Sequence, residues 1–392
     1  MRLGDVMNCI CNLSDCTGCG ACSTVCPQNC ISMKSDEEGF LYPQICNDQC
    51  IQCEKCKAVC PIINSLHATG DTNDAYAVNS KNELERTDSS SGGVFTLIAK
   101  YILSKNGVIF GAAFNGHFGV EHICIDNVED ISRIQGSKYV QSFIGDNYKK
   151  AKKYLDDGRM VFFTGTPCQV GGLLSYLGKK YDNLICQDIV CHGCPSPLVW
   201  EKYVEYLENK GKSKIVNFSF RNKKYGWKNF SVDVDYENGN KSTCPHKKDY
   251  FMRAFLKNLC LRPSCYTCSF KPLKRISDIT LADYWGVSHA HAELDDDRGT
   301  SLVLINSAKG RKVFEAIREQ TVYQMTSIEH AIKYNPAMVA SVKRPDLRCD
   351  FMMNLKNIGF DYVRKKYLRI DAHERLTDIK KQFYIFFHKF IH

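Results

Sequence analysis

The residues best suited to chemistry in this chain are cysteines, and they come in two matched runs. Cys16-Thr-Gly-Cys19-Gly-Ala-Cys22-Ser-Thr-Val-Cys26-Pro27 is followed by Cys50-Ile-Gln-Cys53-Glu-Lys-Cys56-Lys-Ala-Val-Cys60-Pro61. Both read C-x2-C-x2-C-x3-C-P, a ligation pattern for paired 4Fe–4S clusters. Three thiolates spaced this way wrap one face of a cubane, and the fourth cysteine is carried to the neighbouring cubane. This assigns Cys16, Cys19, Cys22 and Cys60 to one cluster, and Cys50, Cys53, Cys56 and Cys26 to the other. Gly18 and Gly20 let backbone amides approach the sulfur atoms, which tunes the potential. Two zinc sites are the competing reading. Zinc usually takes paired C-x2-C knuckles, whereas a triple run with a distal Cys-Pro, present twice, fits iron–sulfur chemistry. The spare Cys9, Cys11, Cys30 and Cys46 are read as free thiols near the clusters rather than as ligands.

A second group of thiols lies far along the chain. Cys260, Cys265 and Cys268 have C-x4-C-x2-C spacing and need a fourth ligand from elsewhere. Cys191, at the end of an expected strand, is the first choice and Cys194 the reserve. Together they are expected to hold a third 4Fe–4S cluster, with zinc and ordinary buried thiols as the alternatives. Cys168 lies in an expected turn and is read as a packed small residue, with a reactive thiol as the alternative.

The wider composition fits a redox protein. Of 22 cysteines in 392 residues, twelve precede residue 61, so they are not spread like core thiols. The opening residues have no apolar signal-peptide core, and no apolar run is long enough to span a bilayer. A reducing, cytoplasmic setting and metal binding are therefore expected rather than disulfides. Hydrophobic residues make up 44%, enough for a sizeable core. The net charge of +9 reads as a solvated basic surface, or as one for an anionic cofactor or an acidic carrier protein. No nucleic-acid-binding pattern accompanies the charge.

The elements that must position these residues can be read from periodicity. After a polar linker at 67–74, a Ser/Gly loop at 88–95 opens a helix over 95–103. Its serines suit either a helix cap or a phosphate. Strands are expected at 108–114, 120–126, 161–164 and 184–190, with a helix at 146–155 and another at 196–209. The strand at 161–164 leads into the Gly-containing turn 165–172, and ligands gather at such strand ends. The pattern then becomes β-rich at 215–221 and 230–236, with a hairpin signal at 237–240. A helix at 250–258, strands at 279–282 and 301–306, and a helix at 308–319 follow.

Six segments, taken in order, resemble one family. They are Ser-Ser-Ser-Gly-Gly-Val-Phe (89–95), Gly-Ser-Lys-Tyr-Val-Gln-Ser (136–142), Gly-Thr-Pro-Cys-Gln (165–169), Asp-Ile-Val-Cys-His-Gly (188–193), Cys-Tyr-Thr-Cys (265–268) and Asp-Tyr-Trp-Gly (283–286). The set resembles the beta subunit of coenzyme F420 hydrogenase/dehydrogenase over about residues 1–330, with a bacterial-type dicluster ferredoxin domain fused in front. The resemblance implies an FAD in the body beside a 4Fe–4S cluster. It places Ser90, Ser91, Gly92 and Gly93 near the FAD phosphates. Lys138, Tyr139 and Gln141 would line the flavin, with Thr166, Pro167, Cys168 and Gln169 on its other side. Cys191, Cys260, Cys265 and Cys268 match the family's cluster motifs. No catalytic acid or base is carried over; Asp188, His192 and Asp283 are candidates whose simpler reading is structural.

The expected fold class is α+β or α/β. It comprises a ferredoxin-like two-cluster domain (1–70), a mixed α/β flavin-binding body (71–345) and a helical tail (346–392). The tail is expected to be helical over 354–368, with an aromatic-rich stretch at 377–391 that packs on the body. A membrane-surface helix and docking onto a partner protein are the alternatives for that stretch. The expected function joins one-electron clusters to two-electron flavin chemistry. Ferredoxin or reduced coenzyme F420 stands on one side and a small organic substrate on the other. The alternative is a non-catalytic electron relay that feeds a partner enzyme. No G-x-G-x-x-G fingerprint points to NAD(P)H.

Overall fold

The computed structural model describes residues 10–66 and 74–370. Most of the expected linker (67–73), Cys9 and the aromatic stretch at 377–391 lie outside the described residues. In the head, β1 (Ile31–Ser35) and β2 (Leu41–Ile45) form an antiparallel hairpin. The short helices Ala21–Val25 and Lys55–Ala58 flank it, and each carries the third cysteine of its run.

In the body, β3 (Asp74–Ser80), β4 (Val108–Phe114), β5 (Val120–Ile125), β6 (Ser142–Phe143), β7 (Val161–Gly165) and β8 (Leu184–Ile189) enter one large sheet. A separate antiparallel sheet holds β9 (Ile215–Asn222), β10 (Ser231–Tyr236) and β11 (Lys241–Pro245). The chain then returns to the large sheet with β12 (Ile279–Asp283), β13 (Ser301–Ile305) and β14 (Thr321–Thr326). The large sheet runs β14-β3-β13-β12-β8-β7-β4-β5-β6. Its centre, β12-β8-β7-β4, is parallel, and both flanks bring in antiparallel pairings. The fold is mixed α/β.

The central strands are apolar throughout because both of their faces are covered. Phe162 packs with Leu97, Ile98 and Phe314 on one face. Val161 and Phe163, its neighbours in sequence, point to the other face and pack with Tyr148, Val170 and Leu173. The small sheet is backed by an aromatic cluster around Trp200, Tyr203, Phe218, Phe220 and Phe251. Among the described residues no helix is long and apolar enough to cross a membrane.

Several elements differ from expectation. The helix after β7 begins at Pro167 and runs to Leu177, so most of the expected turn at 165–172 is helical. Proline suits a first helical position, and the Gln169 side-chain oxygen accepts from the Thr166 amide and hydroxyl. The expected helix at 354–368 is two helices, Arg348–Asn357 and Phe360–Tyr367. The break falls at Gly359, whose φ of 109° no ordinary helix residue adopts. Both helices pack into the aromatic cluster through Phe351, Leu355, Phe360 and Val363. Strands β1, β2, β3, β6 and β14 were not expected, and β11 is the second arm of the hairpin signalled at 237–240.

The head is joined to the body by buried polar contacts. Arg262, 1% exposed, donates to the carbonyl oxygens of Cys16 at 2.7 Å and Leu41 at 3.0 Å. Its guanidinium lies over Tyr42, 4.0 Å from the ring centre. The Gln141 side-chain oxygen accepts from the Leu41 amide at 2.9 Å, and Arg348 pairs with Glu38. Gly39 is required where head and body touch, because a Cβ there would meet the Leu198 amide nitrogen at 2.5 Å. Replacing Arg262 by Met strips two buried carbonyls of their donor, at about 1–3 kcal/mol each. We expect Arg262→Met to lower the denaturation midpoint of the iron-loaded protein, measured anaerobically. An unchanged midpoint would show that the head is held by other contacts.

Candidate redox centre

In the head, five thiols line one small cavity: Cys11, Cys16, Cys19, Cys22 and Cys60. The amides of Gly18, Ala21 and Ser23 donate to the sulfurs of Cys16, Cys19 and Cys22. Such amides become available because Gly18 and Gly20 both take left-handed φ, at 70° and 79°. Burial pushes the Cys19 thiol up to about 11. A bare thiol there keeps its proton at neutral pH, whereas iron replaces it. Among the described residues no group of three or more His, Cys, Asp or Glu converges as ligands of a single ion. A cubane asks for a different arrangement, with thiolates spread round the cavity walls, and this donor set fits it.

The second nest is more open. Cys53 is exposed, Cys50 and Cys56 are half-buried, and Cys26 is buried. Cys26 lies 3.3 Å from Cys30, sulfur to sulfur. The two nests thus differ in access to solvent: all four expected ligands of the inner one are buried, whereas only Cys26 of the outer four is.

The inner nest abuts the body. A Cβ on Gly172, in the helix after β7, would lie 3.1 Å from the Cys19 sulfur. Beside this contact is a cavity of about 350 Å³ at the C-terminal ends of the parallel strands, where open α/β sheets bind ligands. Thr17 and Gly18 of the head form part of its wall. Ser90, Ser91, Gly93, Lys138, Tyr139, Gln141, Thr166, Pro167, Cys168 and Gln169 all line it. Gly92 does not. Its amide donates to Ser301 Oγ, its carbonyl accepts from the Ser80 amide, and a Cβ would strike the Val78 carbonyl oxygen at 2.3 Å. The Ser/Gly loop is not a side-chain cap either. The helix Val94–Ser104 starts at Gly93 with no side-chain cap bond. Ser90 Oγ accepts from the amide and hydroxyl of Ser137, and Ser91 Oγ donates to the Thr300 carbonyl.

The charged groups here were largely missed by sequence reasoning. Arg262, Lys271 and Arg275 line the cavity beside Lys138, and Asp283 is ion-paired to Arg221 at 2.7 Å. They come from distant segments with no spacing to betray them. Burial lowers Lys138 to about 8. His122 was also missed. Its Nε2 faces the Thr164 carbonyl at 2.9 Å, so it donates there, and Nδ1 accepts from Ser142. Burial lowers it to about 4, so the ring is neutral. Of the candidate acid–base residues, His192 lines the cavity and bonds to Asn258, whereas Asp188 is fully buried and held by Thr280. Thr17 Oγ1, Gln187 Oε1 and Arg275 Nε, on residues that line the cavity, are buried without a hydrogen-bond partner among the described residues. Orphaned polar atoms around an apolar-lined cavity suit a polar ligand.

The second thiol group converges here, with one exchange of members. Cys191, Cys265 and Cys268 line the cavity, joined by Cys168 and Cys194. The Cys194 amide donates to the Cys265 sulfur at 3.3 Å. Cys260 does not join them. Its side chain is 0% exposed and packs in the aromatic cluster near Arg348. The helix Tyr250–Leu256 and the turn after it aim Cys260 into the core, a direction that cysteine spacing does not encode. Burial pushes Cys191 and Cys265 up to about 12. The Arg262 guanidinium acts electrostatically on Cys16 in the head and on Cys194 and Cys265 in the body, so it stands between the two thiol groups.

Residues 158–331 match the family described as the C terminus of the coenzyme F420 hydrogenase/dehydrogenase beta subunit. Residues 15–62 match the 4Fe-4S dicluster domain. Residues 158–331 thus carry the C-terminal domain of that beta-subunit family, and residues 15–62 carry a dicluster domain in front of it. It is an iron–sulfur electron-transfer protein. One subunit of the F(420)H(2) dehydrogenase of Methanosarcina mazei is 22% identical over 320 residues, covering 78% of this chain and 83% of that protein. The coenzyme F420-dependent sulfite reductase of Methanocaldococcus jannaschii is 25% identical over 335 residues, 80% of this chain and 48% of that longer protein. The ferredoxin-like protein in the nif region of Rhizobium leguminosarum bv. trifolii is 43% identical over 54 residues, covering 13% of this chain and 83% of that protein. A chain of the F420-reducing nickel–iron hydrogenase complex of Methanosarcina barkeri superposes with a TM-score of 0.44 at 18% identity, covering 77% of this chain and 92% of that one.

The contrast in exposure predicts an order of loss within the dicluster domain. On brief contact with air or an iron chelator, the outer nest should lose its iron first, followed by spectroscopy of the reduced protein. Simultaneous loss would mean that the inner nest opens as readily as the outer.

Proposed function

We propose that this protein is an iron–sulfur flavoprotein oxidoreductase. One-electron carriers dock at the head (1–70), and a flavin, FAD, occupies the body cavity (71–345), beside a third 4Fe–4S cluster. The observation that carries this reading is the shared wall: the cavity is bounded by Thr17 and Gly18 of the head and by Cys191, Cys194, Cys265 and Cys268 of the body. Cys50, Cys53, Cys56 and Cys26 would hold the cluster open to carriers, and Cys16, Cys19, Cys22 and Cys60 the buried one beside the cavity; the pair would supply one-electron transfer between carrier and flavin. When bound, the flavin supplies exchange between single electrons and electron pairs. The chain's own residues do the positioning. Ser90, Ser91 and Gly93 would hold the cofactor's phosphates, with Lys138 as the neighbouring cation. Tyr139 and Gln141 would line one side of the ring system, and Thr166, Pro167, Cys168 and Gln169 the other. Neutral His122 fixes the Thr164–Ser142 wall. For the third cluster the cavity favours Cys194 over Cys260 as the fourth ligand.

The relatives' names suggest coenzyme F420 as the two-electron partner and an organic or inorganic acceptor beyond it. They also support a second reading, in which the chain is a relay that feeds a partner enzyme. One relative is named as a subunit, and the sulfite reductase extends well beyond the match.

Anaerobic purification with iron, sulfide, zinc and flavin analysis tests the proposal. About twelve iron and one flavin per chain are expected for three four-iron clusters. Cys194→Ala should lose about four iron while Cys260→Ala keeps them; the reverse would restore Cys260 as the ligand. Iron without flavin, even with FAD supplied, would leave only the relay.

Lys138 adds a pH dependence. It is cationic below about 8 and neutral above. Flavin affinity, read by fluorescence quenching, should fall as pH rises through that value, and Lys138→Gln should weaken binding and flatten the profile. An unchanged profile in Lys138→Gln would place the phosphates elsewhere.

A further inference from the structure

The inner nest has one more thiol than a cubane can use. Ligation by the matched runs accounts for Cys16, Cys19, Cys22 and Cys60, yet Cys11 lines the same cavity. Its place is built by the backbone. The amides of Asp15 and Cys16 both donate to the Asn12 carbonyl at 3.0 Å, a tight turn that folds Cys11 back over the start of the first run. The Cys11 side chain shares the walls of this cavity with Cys16, Cys19, Cys22 and Cys60. It also packs against Cys16, Phe40 and Tyr42, and within the cluster that holds Cys22 and Cys60. A thiol that lines the same small cavity as four ligand thiols, packed against Cys16 on one side and the Cys22–Cys60 cluster on the other, is placed to reach the iron corners they would hold. Cys16 and Cys60 come from opposite ends of the head sequence, so Cys11 bridges the two strands of chain that close the nest.

We propose that Cys11 is a reserve ligand of the inner cluster, able to take the iron corner held by Cys60 or by Cys16. The exchange is balanced without electron transfer. Cys11 releases its thiol proton as its sulfur bonds to iron, and the displaced thiolate takes up a proton as its own iron–sulfur bond breaks. Such a ligand would preserve a four-iron cluster when a primary ligand is lost or oxidised. The proposal rests on the assignment of Cys16, Cys19, Cys22 and Cys60 to the inner cluster.

The test uses the full chain, purified anaerobically, with iron and sulfide content and electron paramagnetic resonance as readouts. Four proteins decide it: wild type, Cys11→Ala, Cys60→Ala and the double variant. Cys11→Ala and Cys60→Ala should each keep a four-iron inner cluster. The double variant should fall to a three-iron cluster or lose about four iron. The outer cluster's signal reports that the head has folded, since Cys26 binds it from the far side of the inner run. Where Cys60→Ala loses the outer signal too, Cys16→Ala with and without Cys11→Ala gives the same comparison at the other corner. If both single ligand variants lose the four-iron cluster as fully as their doubles, Cys11 is no ligand and the proposal fails. A wild type without the iron of two head clusters would instead overturn the ligand assignment beneath it.

Discussion

A single buried guanidinium ties the functional parts together. Among the described residues Arg262 has no carboxylate partner; its hydrogen bonds end on the carbonyls of Cys16 and Leu41 and, at 3.5 Å, on Gln141. Burying a charge is expensive unless its donors are satisfied, so Arg262 is tolerable only while the head stays docked. Docking in turn brings the inner thiols beside the helix after β7 and makes Thr17 and Gly18 walls of the body cavity. Gly18 belongs to the same constraint, since a Cβ there would strike Gln141 at 2.5 Å and Arg262 at 2.9 Å. A residue with a side chain at position 18 would push the head off the cavity and expose the guanidinium it covers.

The sheet supplies the other half of the arrangement. Four parallel strands end at one edge, and three of them deliver a different chemical group there. Strand β7 leads to Thr166 and Cys168, β8 to Cys191 and Cys194, and β12 to Asp283. The antiparallel β13 begins at the same edge, where Ser301 pairs with Asp283 and accepts from the Gly92 amide. That contact fixes the Ser/Gly loop as a wall rather than a flexible cradle. Helix packing on both faces of β7 and β8 keeps these strand ends rigid, which is what close placement of redox groups requires.

What could be read from the sequence divides along a physical line. Local determinants were legible. The C-x2-C runs mark a dicluster domain by their spacing, and the apolar strands at 108–114 and 161–164 announce burial on both faces. Six ordered segments sufficed to place most of the cavity lining. Determinants that depend on where a side chain finally points were not legible. Cys260 has the right spacing to join Cys265 and Cys268, yet the turn before it directs it into the aromatic core, while Cys194 reaches the cavity from β8. Arg262, Arg275 and His122 are unremarkable in sequence and meet only through the fold. Strand β3 was hidden because Asp-Ala-Tyr-Ala-Val-Asn-Ser has few strongly β-forming residues, and its pairing with β13 and β14 decides its conformation.

The unequal exposure of the two head nests bears on the energetics of the electron they pass. Reducing a cluster adds negative charge, and burial away from water disfavours that charge. By burial alone the inner nest would therefore accept an electron less readily than the outer. Two features act in the opposite sense. The amides of Gly18, Ala21 and Ser23 donate to the inner sulfurs, and hydrogen bonds to sulfur raise the potential. Arg262 places a permanent positive charge beside Cys16, in surroundings where screening by water is weak. The same cation faces Cys194 and Cys265 across the cavity. Its charge thus favours an electron on either side of the junction, and the residue that docks the head also sets the electrostatics of the step between head and body.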